Sequence, residues 1–237
     1  CTGMALVWRL LAALSACALL AGCDRAQAAS FGPEPRAFVI GAAGHQPGKF
    51  VKPRAVAVAP DGTVWVMDRS DRLQAFDRDG RYLRGWTMPE VDNGSPSEIE
   101  CDAAGNVLVT QTHYQKITVY SPAGEILREW GSWGKGPGQF VYPVGLALDR
   151  AGNVYVSEYG GNDRVQKFDP QGNFLLEWGR FGPGPGEFNR PEDLCVDAQG
   201  RVFVADSCNH RIQVFDGEGK LLSTWGTVGD GPGEVRY

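Results

Sequence analysis

The sequence predicts an all-β protein, a β-propeller made of four-stranded antiparallel blades. Three features indicate this fold: a repeat with a period of about 47 residues, short strand-like segments within each repeat, and a glycine turn at the same place in each. Four such units are present, and no helical periodicity longer than about ten residues follows position 23. Stacked helix pairs, another common repeat architecture, are therefore excluded.

Each unit opens with a proline ahead of an apolar strand, turns at a glycine into a Val-X-Val strand, and closes on a tryptophan. The aligned residues are Pro53, Gly62 and Trp86; Pro96, Gly105 and Trp130; Pro143, Gly152 and Trp178; and Pro191, Gly200 and Trp225. In the third unit the pattern predicts strands a to d at Gly145–Asp149, Val154–Glu158, Arg164–Asp169 and Phe174–Gly179.

The linkers between units are short and rich in glycine and proline, as in Gly134–Phe140 and Gly184–Phe188. Together with Asn209–Phe215 they closely resemble the NHL repeat, and the resemblance covers residues 37–237. Propellers of the NHL family typically have six blades. The resemblance therefore implies that the four units belong to a six-bladed ring.

Both ends of the repeat region fit that expectation. Residues 36–41 lie where a strand d is expected, with no strands a to c of their own before them. The sequence stops inside a linker, at 231–237, where a new strand a is due. We therefore expect about two further blades after Tyr237.

The first residues predict export. Residues 4–22 form a signal segment, with Arg9 ahead of the apolar stretch Leu10–Leu20. The ending Leu20-Ala21-Gly22-Cys23 resembles the lipobox of bacterial lipoproteins. The resemblance implies that the signal is removed and that Cys23 is lipidated, which anchors the protein in a membrane. The alternative is an ordinary apolar helix that happens to end in Ala-Gly-Cys.

The expected location is the periplasmic side of a bacterial membrane, and the sequence leaves open whether that is the inner or the outer membrane. Residues 23–36 are predicted to be a tether between the anchor and the propeller, which begins at residue 37. The formal net charge of −5 and the scattered lysines and arginines argue against a nucleic acid partner. A protein or a glycan is the expected ligand.

The candidate ligand-binding residues are those predicted on the face of the ring that carries the d–a linkers and the b–c loops, because these connections are the longer ones. They are Arg54, Asp68, Tyr114, Trp133, Glu158, Tyr159, Glu192 and Asp206. Among them, the aromatic residues Tyr114, Trp133 and Tyr159 depart from the repeat, which favours a role in ligand contact.

Three of these candidates are acids that follow a strand b and precede an arginine of the next strand. Asp68, Glu158 and Asp206 could hold a cation such as calcium if they converge on the channel. The alternative is that each acid ties loops together within the repeat.

Zinc chemistry of one related family is not supported by this sequence. Peptidyl-hydroxyglycine amidating lyases have related propellers and bind zinc through histidines placed just after the proline that opens strand a. The corresponding residues here are Arg54, Ser97, Val144 and Glu192. No nucleophile–base pair or phosphate-binding loop is evident either. The sequence therefore favours a non-catalytic binding module, with a calcium- or zinc-dependent hydrolase or lyase that uses channel carboxylates as the alternative.

Overall fold

The computed structural model describes residues 38–89 and 92–236. The predicted signal segment 4–22, the lipidation site Cys23 and the tether 23–36 lie outside the described residues. Within the described part, no helix combines the length and the apolar character needed to cross a membrane.

The described residues form four antiparallel sheets of four strands each, and the strands of each sheet are hydrogen-bonded in chain order. Blade 1 contains β1 (Pro53–Val58), β2 (Val64–Asp68), β3 (Arg72–Phe76) and β4 (Tyr82–Thr87). Blade 2 contains β5 (Glu98–Cys101), β6 (Val107–Gln111), β7 (Lys116–Tyr120) and β8 (Ile126–Trp130). Blade 3 contains β9 (Pro143–Leu148), β10 (Val154–Glu158), β11 (Arg164–Phe168) and β12 (Phe174–Trp178). Blade 4 contains β13 (Pro191–Val196), β14 (Val202–Asp206), β15 (Arg211–Phe215) and β16 (Leu221–Trp225).

The predicted all-β fold of four-stranded blades is confirmed. In blade 3, β10 has the predicted bounds, while β9 begins two residues early because Pro143 pairs with Glu158 across a bulge. Residues 38–41, the described part of the segment expected to form a strand d, form no strand. A strand needs a hydrogen-bonded neighbour, and each described sheet already has its own outer strand.

Apolar side chains between adjacent blades make up the core. Three clusters of buried residues form it, each joining one blade to the next along the chain. The tryptophans that close the units bridge these interfaces: Trp86 lies 5.8 Å from Tyr120, Trp130 lies 5.9 Å from Phe168 and Trp178 lies 5.7 Å from Phe215, measured between ring centroids. Blades 1, 2 and 3 are therefore each stabilised by the blade that follows.

Four linkers share one backbone conformation, at residues 42–50, 132–140, 180–188 and 227–235. In each, the N–H of the last residue donates to the carbonyl of the first, over 2.7–2.8 Å. In each, the third residue also donates to the carbonyl of the last. The linkers and the b–c loops lie at the same end of the blades, because the start of strand a pairs with the end of strand b. We call this end the linker face.

Candidate functional site

Three buried acid–arginine pairs lie at the linker face. Asp68 pairs with Arg72 at 2.6 Å, Glu158 with Arg164 at 2.7 Å, and Asp206 with Arg211 at 2.7 Å. All three carboxylate side chains have no exposed surface. Each also accepts a hydrogen bond from a backbone N–H just after a linker, that of Val51, Val141 or Asn189.

The arginines extend these contacts along the linkers. In blade 3, Arg164 donates to the carbonyls of Lys135, Gly136 and Gln139. In blade 4, Arg211 makes the equivalent bonds to the linker 180–188. Each pair thus fastens a linker to the blade that follows it, which is the structural role that the sequence left as an alternative.

The three acids do not come together around a cation. They belong to different blades, and within residues 38–89 and 92–236 no group of three or more histidine, cysteine, aspartate or glutamate side chains is arranged to hold a metal ion. Blade 2 departs from the pattern, because Gln111 replaces the acid. Its Nε2 donates to Thr118 Oγ1 over 2.9 Å, while Lys116 pairs with Glu129.

A second group of side chains forms a strip of stacked rings at the linker face. The ring of Tyr142 packs edge-on against His113 at 5.3 Å and at 5.1 Å against Tyr159. The guanidinium of Arg190 covers Tyr159 at 5.0 Å from the ring centroid. Glu192 completes the strip, with its Oε1 2.8 Å from Arg190 Nε. We call these five residues the aromatic strip.

The aromatic strip crosses blades 2, 3 and 4, because four of its members come from four different connections and Glu192 lies on β13. His113 belongs to a single 3-10 turn between β6 and β7, and Tyr159 follows β10. Tyr142 and Arg190 stand immediately before the prolines that open β9 and β13. The N–H of Tyr159 donates to the carbonyl of Tyr142 over 3.2 Å, which holds those two segments together. All five side chains are half-buried, so each keeps some surface in contact with solvent.

The remaining candidates from the sequence are not members of the strip. The hydroxyl of Tyr114 accepts a hydrogen bond from the N–H of Asn93 over 3.1 Å. Arg54 is exposed at the start of β1. Trp133 is exposed in its linker, and it does occupy a repeat position, contrary to expectation. Its backbone bridges to Phe140 as Phe181 does to Phe188.

Three further carboxylates on the innermost strands, Glu98, Glu100 and Asp193, were not singled out from the sequence. Burial, with added repulsion from the charge of Asp193, raises the pKa of Glu98 to about 8, while Arg54 acts in the opposite direction. Burial likewise raises the pKa of Glu100 and of Asp193. These acids lie on β5 and β13, whose free edges line the axis of the propeller.

Sequence reasoning identified Tyr159 and Glu192 but missed the other members of the strip. His113, Tyr142 and Arg190 are not among the residues that the sequence pattern singles out. One feature of the sequence could have pointed to Tyr142 and Arg190. The residue before the opening proline differs in every unit: Lys52, Ser95, Tyr142 and Arg190. Variation at one position of a repeat indicates a surface that the fold itself does not constrain.

The fold and its repeated linkers define the class of protein: a β-propeller with consecutive four-stranded blades. The chain carries NHL repeats, since the family model "NHL repeat" matches residues 140–168 and 188–215. The sequence matches none of the curated proteins with which it was compared.

Solved structures share the fold at low sequence identity. A streptogramin B lyase aligns with a TM-score of 0.58 at 19% identity, covering 73% of this chain and 54% of that one. A gluconolactonase from Xanthomonas campestris aligns with a TM-score of 0.54 at 18% identity, covering 72% and 60%. A protein of unknown function from Bacteroides caccae gives 0.55 at 18% identity, covering 73% and 60%. The chain thus spans between a half and two thirds of the length of these structures.

Proposed function

We propose that this protein is an exported, lipid-anchored binding module whose propeller takes a protein or glycan ligand at the linker face. The aromatic strip is the observation that carries the proposal. It joins three partly exposed rings with the guanidinium of Arg190, across three blades, into one continuous surface.

The chemistry of the strip suits recognition. Tyrosine rings offer apolar faces to a sugar ring or an aliphatic side chain, and their hydroxyls donate and accept hydrogen bonds at the edge. Arg190, Glu192 and His113 add donors and acceptors that fix the orientation of a ligand. The rings are already packed against one another, so little side-chain freedom is lost when a ligand binds.

Occupied hydrogen bonds argue against the three acid–arginine pairs as catalytic groups. Glu158 accepts hydrogen bonds from Arg164, Asn162 and Gln166 and from the N–H of Val141. A metal ion or a substrate would have to displace these partners from a buried carboxylate. The same contacts recur at Asp206, so the set belongs to the architecture of the repeat.

The alternative function is a metal-dependent hydrolase or lyase that uses channel carboxylates, and two observations favour keeping it. The fold is shared with a streptogramin B lyase and with a gluconolactonase. Glu98, Glu100 and Asp193 also lie on inner strands with raised pKa values. Metal analysis of the full chain after dialysis distinguishes the two functions, since one tightly held calcium or zinc per chain favours the enzyme.

Binding of the full chain to glycan and peptide arrays tests the proposal. We expect a hit whose affinity falls about tenfold or more when Tyr142 and Tyr159 are changed to alanine, because both rings face the ligand. Tyr82→Ala is the matched control, since Tyr82 is a partly exposed tyrosine on the outer strand β4. Binding that is equal in the strip variants and the control, or no binding at all, contradicts the proposal.

A further inference from the structure

Three of the four linkers carry the most exposed large apolar side chains of the blades, while the equivalent residue of the first linker is Ala43. Trp133 is 74% exposed, Phe181 is 66% exposed and Val228 is 62% exposed. A single exposed apolar side chain is ordinary on a protein surface, but three at the same position of a repeat are a regular feature of this face.

These three residues are equivalent by backbone geometry. Each is the second residue of a linker, and each forms a parallel bridge to the last residue of that linker. The following glycine donates to the carbonyl of that last residue in all three cases. Their side chains therefore leave their blades from the same place.

Equivalent positions in a propeller are related by rotation about its axis. Such a rotation leaves the height along the axis unchanged, so the backbones of Trp133, Phe181 and Val228 lie at about the same height along it. An arc of apolar tips at one height matches a flat surface better than it matches a groove or a point contact. We call these three residues the linker arc.

A phospholipid bilayer is the flat surface that this composition fits. Tryptophan and other aromatic side chains favour the boundary between lipid headgroups and acyl chains. The charges of the four linkers balance, with Lys49, Lys135 and Arg180 against Glu187, Asp230 and Glu234. Apolar insertion would therefore drive the contact, with little contribution from attraction to anionic lipids.

We infer that the linker arc rests on a bilayer, with Trp133 and Phe181 inserted at the boundary between the lipid headgroups and the acyl chains. The path of the chain agrees with this orientation, because residues 39–41 lead directly into the first linker, 42–50, at the same end of the propeller. The lipidated Cys23 that the sequence predicts would hold that end close to the membrane. The aromatic strip shares this face, so its ligand would be one presented at the membrane surface.

Depth-dependent fluorescence quenching tests the contact at a single side chain. The full chain is incorporated into phosphatidylcholine vesicles with either plain or brominated acyl chains. The emission of Trp133 is obtained as the difference between the wild type and Trp133→Phe. We expect the brominated lipid to quench roughly half or more of that emission, because bromine quenches only indoles in contact with the acyl region.

Two further variants make the outcome decisive. Phe181→Trp places a second indole at the same height, and we expect it to be quenched to the same extent as Trp133. The emission lost in Trp225→Phe is the control, because Trp225 lies on the outer strand β16 and is 42% exposed. That emission is expected to be the same in both vesicles.

Anchoring through the N-terminus alone cannot produce this result, since the quenched emission is assigned to individual side chains of the propeller. Equal emission of Trp133 in plain and brominated vesicles overturns the inference, as does quenching of Trp225 to the same extent. Either result leaves the array test of the aromatic strip untouched, so failure of the bilayer contact and failure of the binding function are distinguishable.

Discussion

Arg164 donates from Nε to Oε1 of Glu158 over 2.7 Å, and both side chains are buried. The same guanidinium reaches Glu177 on β12 and the backbone of the linker 132–140. One side chain thus joins strands b, c and d of blade 3 to the linker that enters it. A buried charge with every donor occupied is held in place by its neighbours, and removing it leaves its partner without compensation.

Arg164→Ala is therefore expected to lower the free energy of unfolding by about 3–5 kcal/mol, because Glu158 is left buried and unpaired. Arg201→Ala is the matched control. It breaks a pair with Asp197 at 2.6 Å whose arginine side chain is 43% exposed, and the expected loss is below about 1 kcal/mol. Urea unfolding monitored by tryptophan fluorescence measures both. Similar losses in the two variants would show that the contacts of Arg164 with Glu158 and the linker add no more stability than an exposed ion pair does.

Glu98 is expected to make stability depend on pH. Its pKa is raised from 4.5 to about 8 in the folded chain. The folded state therefore keeps a proton that the unfolded state releases, and this favours folding below pH 4.5 relative to higher pH. The contribution is lost progressively as the pH rises from about 4.5 to about 8.

Glu98→Gln is accordingly expected to flatten this part of the stability profile and to raise the melting temperature at pH 8 relative to the wild type. Some slope should remain, because burial also raises the pKa of Glu100 and of Asp193. Thermal unfolding between pH 5 and 9 measures the effect. Glu125→Gln, at an exposed turn, is the control and should follow the wild type. An unchanged slope in Glu98→Gln would mean that Glu98 is ionised in the folded chain.

A side chain at Gly179 is expected to destabilise the fold. It has a φ of +94°, and a Cβ atom there would overlap the ring of Phe188, which is fully buried. Gly186 has a similar φ of +76°, but no heavy atom lies within 4 Å of a Cβ atom built on it. The backbone strain of an alanine is therefore comparable at the two positions, and only Gly179→Ala adds a steric overlap.

We expect Gly179→Ala to destabilise the chain by about 1–3 kcal/mol more than Gly186→Ala does, because overpacking a rigid core adds to the strain. Chemical unfolding of the two variants side by side gives the difference directly. Equal destabilisation would show that Phe188 moves aside without loss of packing.

Much of the architecture follows from local sequence. Alternating apolar residues, the glycine turns and the closing tryptophans predict four blades and most strand bounds, since these signals act over a few neighbouring residues. Local sequence also predicts three ion pairs, because acid and arginine face each other across one b–c connection. The acids are Asp68, Glu158 and Asp206, each paired with the arginine that follows it.

Contacts between blades could not be derived in the same way. Tyr142, Tyr159, His113 and Arg190 come together although they lie on separate connections up to 77 residues apart in the chain (113 to 190). Whether they meet depends on the rotation between adjacent blades, which is set by how Leu108, Leu146 and their neighbours pack. The equal height of Trp133, Phe181 and Val228 likewise follows from that rotation. Local pattern specifies each blade, and the packing of blades against one another specifies which surfaces they share.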